Sequence, residues 1–410
     1  MRAPRRVGTG TNQEAVRRHN LGTVLRHVHR AGQLSRAELT RLMGLNRSTI
    51  AALTSELEAL GITERTGPQE PGERQGAGRP STGVSLASSG PYVIAVDLTV
   101  DHATVARVGL GGRIQQRAHA PTGGLGEAWQ VGAAVATLIR QVVADATPAS
   151  PLVGIGVAVP GLVRRTDGLI RLAPNLEWHD VSFSSVVLAA LGVDIPIVIA
   201  NDANLGALAE HERGAGVGVD DLVFLSGLVG VGAGIISGGH PLEGVGGYAG
   251  EVGHLRFDPS GLPCHCGSSG CWETAVGAHA IAAAIGCPPE KVAQLREHLH
   301  SLTTVPPELR RIGDDIGRGL ASIVNAFNPQ LVMLGGYFGS LYPLVRDEIL
   351  AGLTGAALPA VVDSVTVAVP CLGEDAVLLG AAETALEPLL VDPVASITAA
   401  LVDAPAQLAG

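Results

Sequence analysis

Five short runs along the chain are almost wholly apolar: LVGIGVAVP (152–160), IPIVIA (195–200), DLVFLSGL (221–228), GVGAGIISG (230–238) and QLVMLGG (330–336). A strand that is apolar on both faces must be covered on both faces, which calls for a parallel sheet between helices. YVIAVDL, ATVARVGL and RIQQRAH (92–98, 103–110 and 113–119) add three consecutive strands with short turns, and 125–145 reads as a helix. Strands alternating with helices over about 300 residues predict a parallel-sheet α/β body in two lobes. At 410 residues the chain has room for two or three domains.

A different pattern precedes this body. Val16, Leu21, Val24, Leu25 and Val28 recur at helical spacing over 14–31. Ser35 opens a second helix, with Glu38 three residues on as a capping box, and Gly44 ends it. Asn46 caps a third helix whose inner face is Ile50, Leu53, Leu57 and Leu60. The short, Gly-bearing LMGLN turn suits a helix-turn-helix. ITERTG and GVSL then read as two short strands around a long loop, which makes the head a winged helix-turn-helix. The expected boundaries are 1–66 for this head, 67–90 for wing and linker, 91–200 and 201–391 for the two lobes, and 392–410 for an Ala- and Pro-rich, loosely ordered tail. A helix over roughly 374–390 is expected to be amphipathic.

Charge separates the same two parts. Residues 1–86 carry 13 Arg against seven Asp and Glu, a balance of +6, and the remainder carries −16 of the net −10. A basic head on an acidic body points to a polyanion that meets the head alone. No run reaches the roughly 18 apolar residues a membrane helix needs, and no apolar stretch follows the basic N-terminus as in a signal peptide. The expectation is a cytoplasmic protein with no membrane partner.

Chemistry concentrates at His254 and Cys264-His265-Cys266-Gly-Ser-Ser-Gly-Cys271. Three of only five cysteines fall within eight residues. Dispersed disulfides do not look like this, whereas three thiolates and an imidazole on a Gly-bearing loop meet the tetrahedral demand of zinc. His254 is the expected fourth ligand, with His265 the competing one and chance clustering of buried cysteines the bland alternative. Four protein ligands leave no open position, so the metal would be structural and would fix the loop carrying Glu251 and Glu273. Asn201-Asp202 end a buried strand where a helix begins, the place where open α/β sheets bind ligands. The alternative reading of Asp202 is that it only caps that helix. Asn, Asp, two Glu and a His converging suit a polyol, each hydroxyl of which wants a donor and an acceptor.

NDAN (201–204), GEVGH (250–254) and CHCGSSGCWE (264–273), with PGLV (160–163) and APNLEW (173–178) in support, resemble the ROK family of repressors, uncharacterised frames and sugar kinases. The resemblance runs to about residue 390 and implies an actin/hexokinase-like body. With the winged head, the chain is similar to the family's sugar-responsive transcriptional repressors. It implies that Asn201, Asp202, Glu251, His254 and Glu273 contact a sugar, that Asp202 would be the base in a kinase, and that His254 would place one ring nitrogen on zinc and the other on a hydroxyl. It also implies a homodimer or higher homo-oligomer.

The nucleotide half departs from the family. The Asp-x-Gly-Gly-Thr turn reads Asp97-Leu98-Thr99-Val100-Asp101, so side chains stand where amides should face phosphate. The Gly-Thr-Gly-x-Gly loop reads Val229 where Thr belongs, ahead of Gly230, Gly232 and Gly234. Gly-Gly-Gly reads Gly335-Gly336-Tyr337, a ring able to fill the base pocket. These departures favour a sugar-responsive regulator over the alternative, an ATP-dependent, glucokinase-like sugar kinase with a fused head. A third possibility is a regulator with a vestigial sugar site that answers to a partner protein.

In the head, Asn46, Arg47, Ser48 and Thr49 open the third helix and are the expected DNA contacts, with Arg47 able to meet guanine or phosphate. Gly78-Arg79-Pro80 reads as a minor-groove hook or as an ordinary turn. Arg17, Arg18, Arg36 and Arg41 are expected phosphate contacts. The expected partners are operator DNA and a sugar or sugar derivative.

Overall fold

The structure, a computed structural model, describes residues 12–67, 83–147, 150–259 and 261–402. The expected hook residue Arg79 and most of the wing lie outside the described residues.

The head begins with α1 (Gln13–Ala31), capped by Asn12, whose side chain accepts from the Ala15 amide at 2.8 Å. α2 (Arg36–Met43) starts at the expected capping box: the Glu38 amide donates to Ser35 Oγ at 3.2 Å and the Ser35 amide to the Glu38 carboxylate at 2.7 Å. Gly44, at φ 65°, ends it, and Asn46 caps α3 (Arg47–Ala59). A strand β1 (Gln33–Ser35) joins β2 (Thr63–Thr66) and β3 (Gly83–Leu86) in the order β1-β3-β2. β1 was not legible in the sequence, since three residues show no periodicity and only the free edge of β3 makes them a strand.

The first lobe is built from β4 (Tyr92–Leu98), β5 (His102–Gly109), β6 (Arg113–Pro121), α4 (Ala128–Val143) and β7 (Leu152–Val159). A three-stranded flap, β8 (Leu162–Val163), β9 (Ile170–Ala173) and β10 (Trp178–Val181), follows, then α5 (Phe183–Leu191) and β11 (Ile197–Asn201), and α6 (Asp202–Arg213) leads out of this sheet to pack on that of the second lobe. The second lobe holds β12 (Leu222–Gly227), β13 (Val231–Ser237), β14 (His240–Pro241), α7 (Trp272–Val276), α8 (Ala278–Ala284), α9 (Leu295–His300) and α10 (Pro307–Phe327). β15 (Leu331–Gly336), α11 (Tyr337–Ala356), α12 (Pro359–Val362) and β16 (Thr366–Ala368) complete it, α13 (Ala376–Val391) returns to pack on the first sheet, and α14 (Pro393–Val402) follows.

The two main sheets repeat one design. Their orders are β6-β5-β4-β7-β11 and β14-β13-β12-β15-β16. In each, the first three strands in sequence form an antiparallel meander and the last two add in parallel. Asp97 and Asp202, at the C-terminal ends of β4 and β11, come close enough to feel each other's charge, and Asp202 feels that of Glu251 from the second lobe.

Two expectations fail at the C-terminus. α13 is not a half-wet amphipathic helix: Leu378, Ala381, Ala382, Ala385, Leu386 and Leu389 are all buried, because α13 is wedged among the first sheet, α6 and α1. Nor is the described part of the tail loose. Residues 393–402 form α14, with Pro393 in its first turn, where a missing N–H costs nothing. Asp392 accepts from the Ala395 amide at 3.1 Å, and Ile397 and Ala400 are buried. Alanine, which made the segment look featureless, is the strongest helix former. Head and body share one core in which Leu21, Val24 and Leu25 of α1 join Leu378, Leu386 and Leu389 of α13. Among the described residues, no single helix is long and apolar enough to cross a membrane.

Candidate functional site

His254, Cys264, Cys266 and Cys271 come together with their ligand atoms all within 4.8 Å of one another, a group able to hold a metal ion. His265, the competing ligand, is exposed and outside the group. Cys266 Sγ lies 3.7 Å from Cys271 Sγ, and Cys264 Sγ 3.7 Å from His254 Nδ1. Metal–sulfur bonds of about 2.3 Å at tetrahedral angles imply edges of about 3.8 Å, so the donor set fits such an ion. The loop reaches this shape through Gly267 and Gly270, at φ 87° and 69°, a region a β-carbon disfavours. Trp272 anchors it: its amide donates to Leu255 and its indole N–H to the Asp315 carbonyl at 3.0 Å. Burial pushes the Cys264 thiol up to about 12, with Glu273 adding like charge, a penalty a bound cation would reverse.

His254 stands in a short turn, Val252–His254, with Nδ1 toward the thiols and Nε2 3.9 Å from the Glu251 carboxylate. One ring thus faces both the cysteine cluster and the cleft. Asn201, not Asp202, is the cap of α6: its Oδ1 accepts from the Asn204 amide at 3.1 Å and its Nδ2 donates to the Gly161 carbonyl at 3.1 Å. Asp202 is the first helical residue, only 9% exposed, and one oxygen accepts from the Ala203 amide at 2.8 Å. The capping alternative for Asp202 therefore falls away.

Four carboxylates run along the cleft, each feeling the next. Burial and the charge of Asp202 raise Asp97 to about 7, and burial with the charge of Glu251 raises Asp202 to about 6. Glu251 is raised by burial and by Glu273, against the opposing effect of His254. Glu273 is partly committed: one oxygen accepts from the Val231 amide at 3.0 Å and the other lies 3.6 Å from Cys264 Sγ. Perturbed acids in a cleft mark a functional site, and such a wall accepts hydroxyl protons well. Sequence reasoning treated Asp97 only as a remnant of the phosphate turn, and nothing local in the sequence shows that it faces Asp202.

The turns expected to face a nucleotide make contacts of their own. In the turn after β4, the Thr99 amide and hydroxyl both donate to the His102 carbonyl, at 2.9 and 3.0 Å. In the β12–β13 hairpin, the Val231 amide is taken by Glu273. Tyr337, at the start of α11, is 4% exposed, and its hydroxyl lies 3.5 Å from the Gly230 carbonyl. Its ring is spent on tying α11 to that hairpin.

On the head, Asn46, Arg47 and Ser48 are exposed and Thr49 is half-buried. Asn46 Oδ1 already accepts from the Thr49 amide and the Ser48 hydroxyl, at 2.8 and 2.7 Å. Arg47 and Arg41 carry no ion pair among the described residues. Three other expected phosphate contacts are engaged: Arg17 with Glu56 at 2.8 Å, Arg36 with Glu58 at 3.3 Å, and Arg18 with Glu14 and Asp392 at 3.5 Å each.

Known proteins resemble this chain in sequence and in fold. Over 387 residues the chain is 29% identical to the xylose repressor of Bacillus spizizenii, spanning 92% of this chain and 98% of that protein. It is 32% identical over 250 residues to the glucokinase of Halalkalibacterium halodurans, 56% of this chain and 75% of that one. A solved ROK family transcriptional regulator, a homologue of the E. coli MLC protein, superposes with a TM-score of 0.73 at 24% identity over 97% of this chain and all of that one. A ROK family glucokinase from Streptomyces griseus, in complex with glucose and AMPPNP, superposes with a TM-score of 0.60 at 26% identity over 72% of this chain and 99% of that one. The ROK family model matches residues 93–387, the whole two-lobed body behind the winged head, and the chain belongs to the ROK family.

Proposed function

We propose that this chain is a sugar-responsive transcriptional repressor of the cytoplasm, in which the cleft that serves kinases for catalysis is kept as a sensor. Asn201, Asp202, Glu251, His254 and Glu273 take the sugar, and Asn46, Arg47, Ser48 and Thr49 present α3 to operator DNA. The observation that carries the reading is the contrast within one cleft. An acidic wall with an oriented His254 is intact, while the amides that would cradle a polyphosphate are bonded to His102 and Glu273.

His254, Cys264, Cys266 and Cys271 would hold zinc as a closed, structural site. Bound zinc would supply a fixed orientation to His254, leaving Nε2 to face the sugar, and would hold Glu273 through its loop. Asp202, with no ATP opposite, serves as a hydroxyl acceptor. In a homodimer or higher homo-oligomer, closure of the lobes on the sugar changes the spacing of the heads over two half-sites. Switching operator occupancy from 1:99 to 99:1 asks the sugar to prefer one state by about 5.5 kcal/mol. Several hydrogen bonds to carboxylates, each worth about 1.5–3 kcal/mol, reach that sum when closure completes them.

The kinase alternative draws on Asp202, whose raised affinity for a proton suits a base, and it predicts ATP turnover that Asp202→Asn abolishes. Calorimetric titration separates the readings: D-xylose or D-glucose should give heat, and MgATP, with or without sugar, should give none. ATP binding tighter than about 1 mM, near 4 kcal/mol, would restore the kinase.

A further inference from the structure

We infer that α6 is the mechanical link between the sugar cleft and the DNA-binding head, with Glu212 and Arg213 at its far end acting as positioning residues on α1. The inference rests on the sensor reading above and names how that site is coupled to DNA.

α6 is a single helix of 12 residues, about 18 Å long. Its first turn carries Asn201 and Asp202 in the cleft, and its last carries Glu212 and Arg213 at the head. It is held by the second lobe: a β-carbon on Gly206 would come 2.6 Å from the Phe224 ring of β12, and one on Gly234 of β13 would come 2.6 Å from Ala207. Contacts this close, made by glycine, leave little freedom for the helix to slide on that sheet.

α13 belongs to the other side. A β-carbon on Gly154 of β7 would lie 3.3 Å from the Ala385 carbonyl of α13. The two helices cross at Gly380, where a β-carbon would come 2.5 Å from the Leu205 carbonyl carbon. The lobes therefore meet along the α6–α13 crossing.

The head touches both helices at once. To the first-lobe side, Gly22 of α1 sits against the Leu390 and Val391 carbonyls of α13, and Arg26 forms a two-pronged pair with Glu387 at 2.8 and 3.0 Å. The Gly111 amide, in the β5–β6 turn, donates to His29 Nδ1 at 3.0 Å. To the α6 side, Arg30 forms a two-pronged pair with Glu212, both arms at 2.7 Å. Arg213 pairs with Glu383 of α13 and abuts His29 Nε2, beneath a surface that leaves His29 2% and Glu383 6% exposed. Nδ1 accepts from the Gly111 amide, and Nε2 lies 2.9 Å from the Glu383 carboxylate.

A shift of α6 against α13 on cleft closure must therefore move Glu212 and Arg213 against Arg30 and His29, while Gly22, Arg26 and Gly111 hold the other side of α1. The result is a tilt of the head driven from the sugar site.

The test uses the full-length chain with duplex operator selected by the wild type from random sequence, and D-xylose and D-glucose as ligands. Arg213→Gln should leave the sugar Kd within about twofold yet cut the sugar-induced loss of operator affinity by about tenfold, inside the usual range of coupling between sites. Glu212→Gln, which keeps the shape of a side chain 19% exposed opposite an exposed Arg30, should cut it about threefold. Glu387→Gln, which breaks the pair on the α13 side, should leave the response intact. Equal responses in Glu212→Gln and Glu387→Gln would overturn the link while leaving the sensor reading in place. A wild type that binds sugar without releasing operator would overturn both. If the wild type binds neither sugar, hydrogen exchange still reads the joint: Glu212→Gln should speed exchange in 25–31 and leave α3 unchanged, and no difference in 25–31 would remove the link.

Discussion

The proposed sugar side of the cleft and the turns in the nucleotide-binding positions both draw on the twin sheets, yet they are built from different kinds of group. The proposed sugar side is made of side chains: Asn201, Asp202, Glu251, His254 and Glu273. The nucleotide side of a kinase is made largely of backbone amides exposed by glycine. Side-chain sites tolerate modest drift of the chain beneath them, whereas an amide cradle is lost once a side chain stands in the turn or another acceptor takes the amide. Thr99 bonded to His102, and Glu273 bonded to the Val231 amide, are those two losses. One cleft can therefore stop handling a nucleotide and remain a sugar sensor.

The contrast can be broken at several points. Cys266→Ser should have the largest effect, because it opens a four-ligand site whose metal is worth on the order of 10 kcal/mol in small zinc domains. Metal content by emission spectroscopy should collapse and the melting temperature fall by at least about 5 °C. Full metal occupancy with unchanged melting would remove the centre and the support it lends His254. Glu251→Gln comes next, with sugar affinity by calorimetry weakened about 10–100-fold, the worth of one charge-assisted hydrogen bond. An unchanged sugar heat would leave the acidic wall without its purpose.

Asp97→Asn probes the nucleotide edge. The wild-type carboxyl, ordinarily near 3.8, is raised to about 7 by burial and Asp202. The native state thus holds a proton the unfolded chain releases, and stability falls as pH rises from about 4 through 7. Asparagine removes that dependence, so the variant should exceed the wild type by about 1–2 kcal/mol at pH 8, after allowance for the open cleft, and match it near pH 4 in urea titrations. Parallel pH profiles would mean that Asp97 does not face Asp202 as a buried acid. The smallest effect belongs to Tyr337→Phe, which loses one long hydroxyl contact to Gly230 and should cost under about 1 kcal/mol without creating ATP binding. New ATP heat in this variant would show that the hydroxyl, rather than the bonded amides, closes the nucleotide side.

Much of this was legible before folding. The capping box at Ser35 and Glu38, the Asn46 cap and the apolar strands rest on local spacing, and each appears where expected. The cysteine cluster was legible because three ligands for one ion fall within eight residues, and the structure brings His254 rather than the adjacent His265 to them. β1 and α14 were missed because their order comes from neighbours: an open strand edge for one, the shared core of head and body for the other. α13 was misjudged because its polar residues are not a wet face. Glu383 is buried with His29 and Arg213, residues distant in sequence.

By itself the sequence determined most of the elements, the metal loop and the loss of phosphate-binding glycines, since each is written in residue types at short range. Tertiary structure alone decided that Asp97 faces Asp202, that Asn201 rather than Asp202 caps α6, and that α6 ends against the DNA-binding head. Those facts depend on where helices cross, and helix crossings are set by close contacts such as Gly380 on Leu205 and Gly22 on Leu390, between residues far apart in the chain.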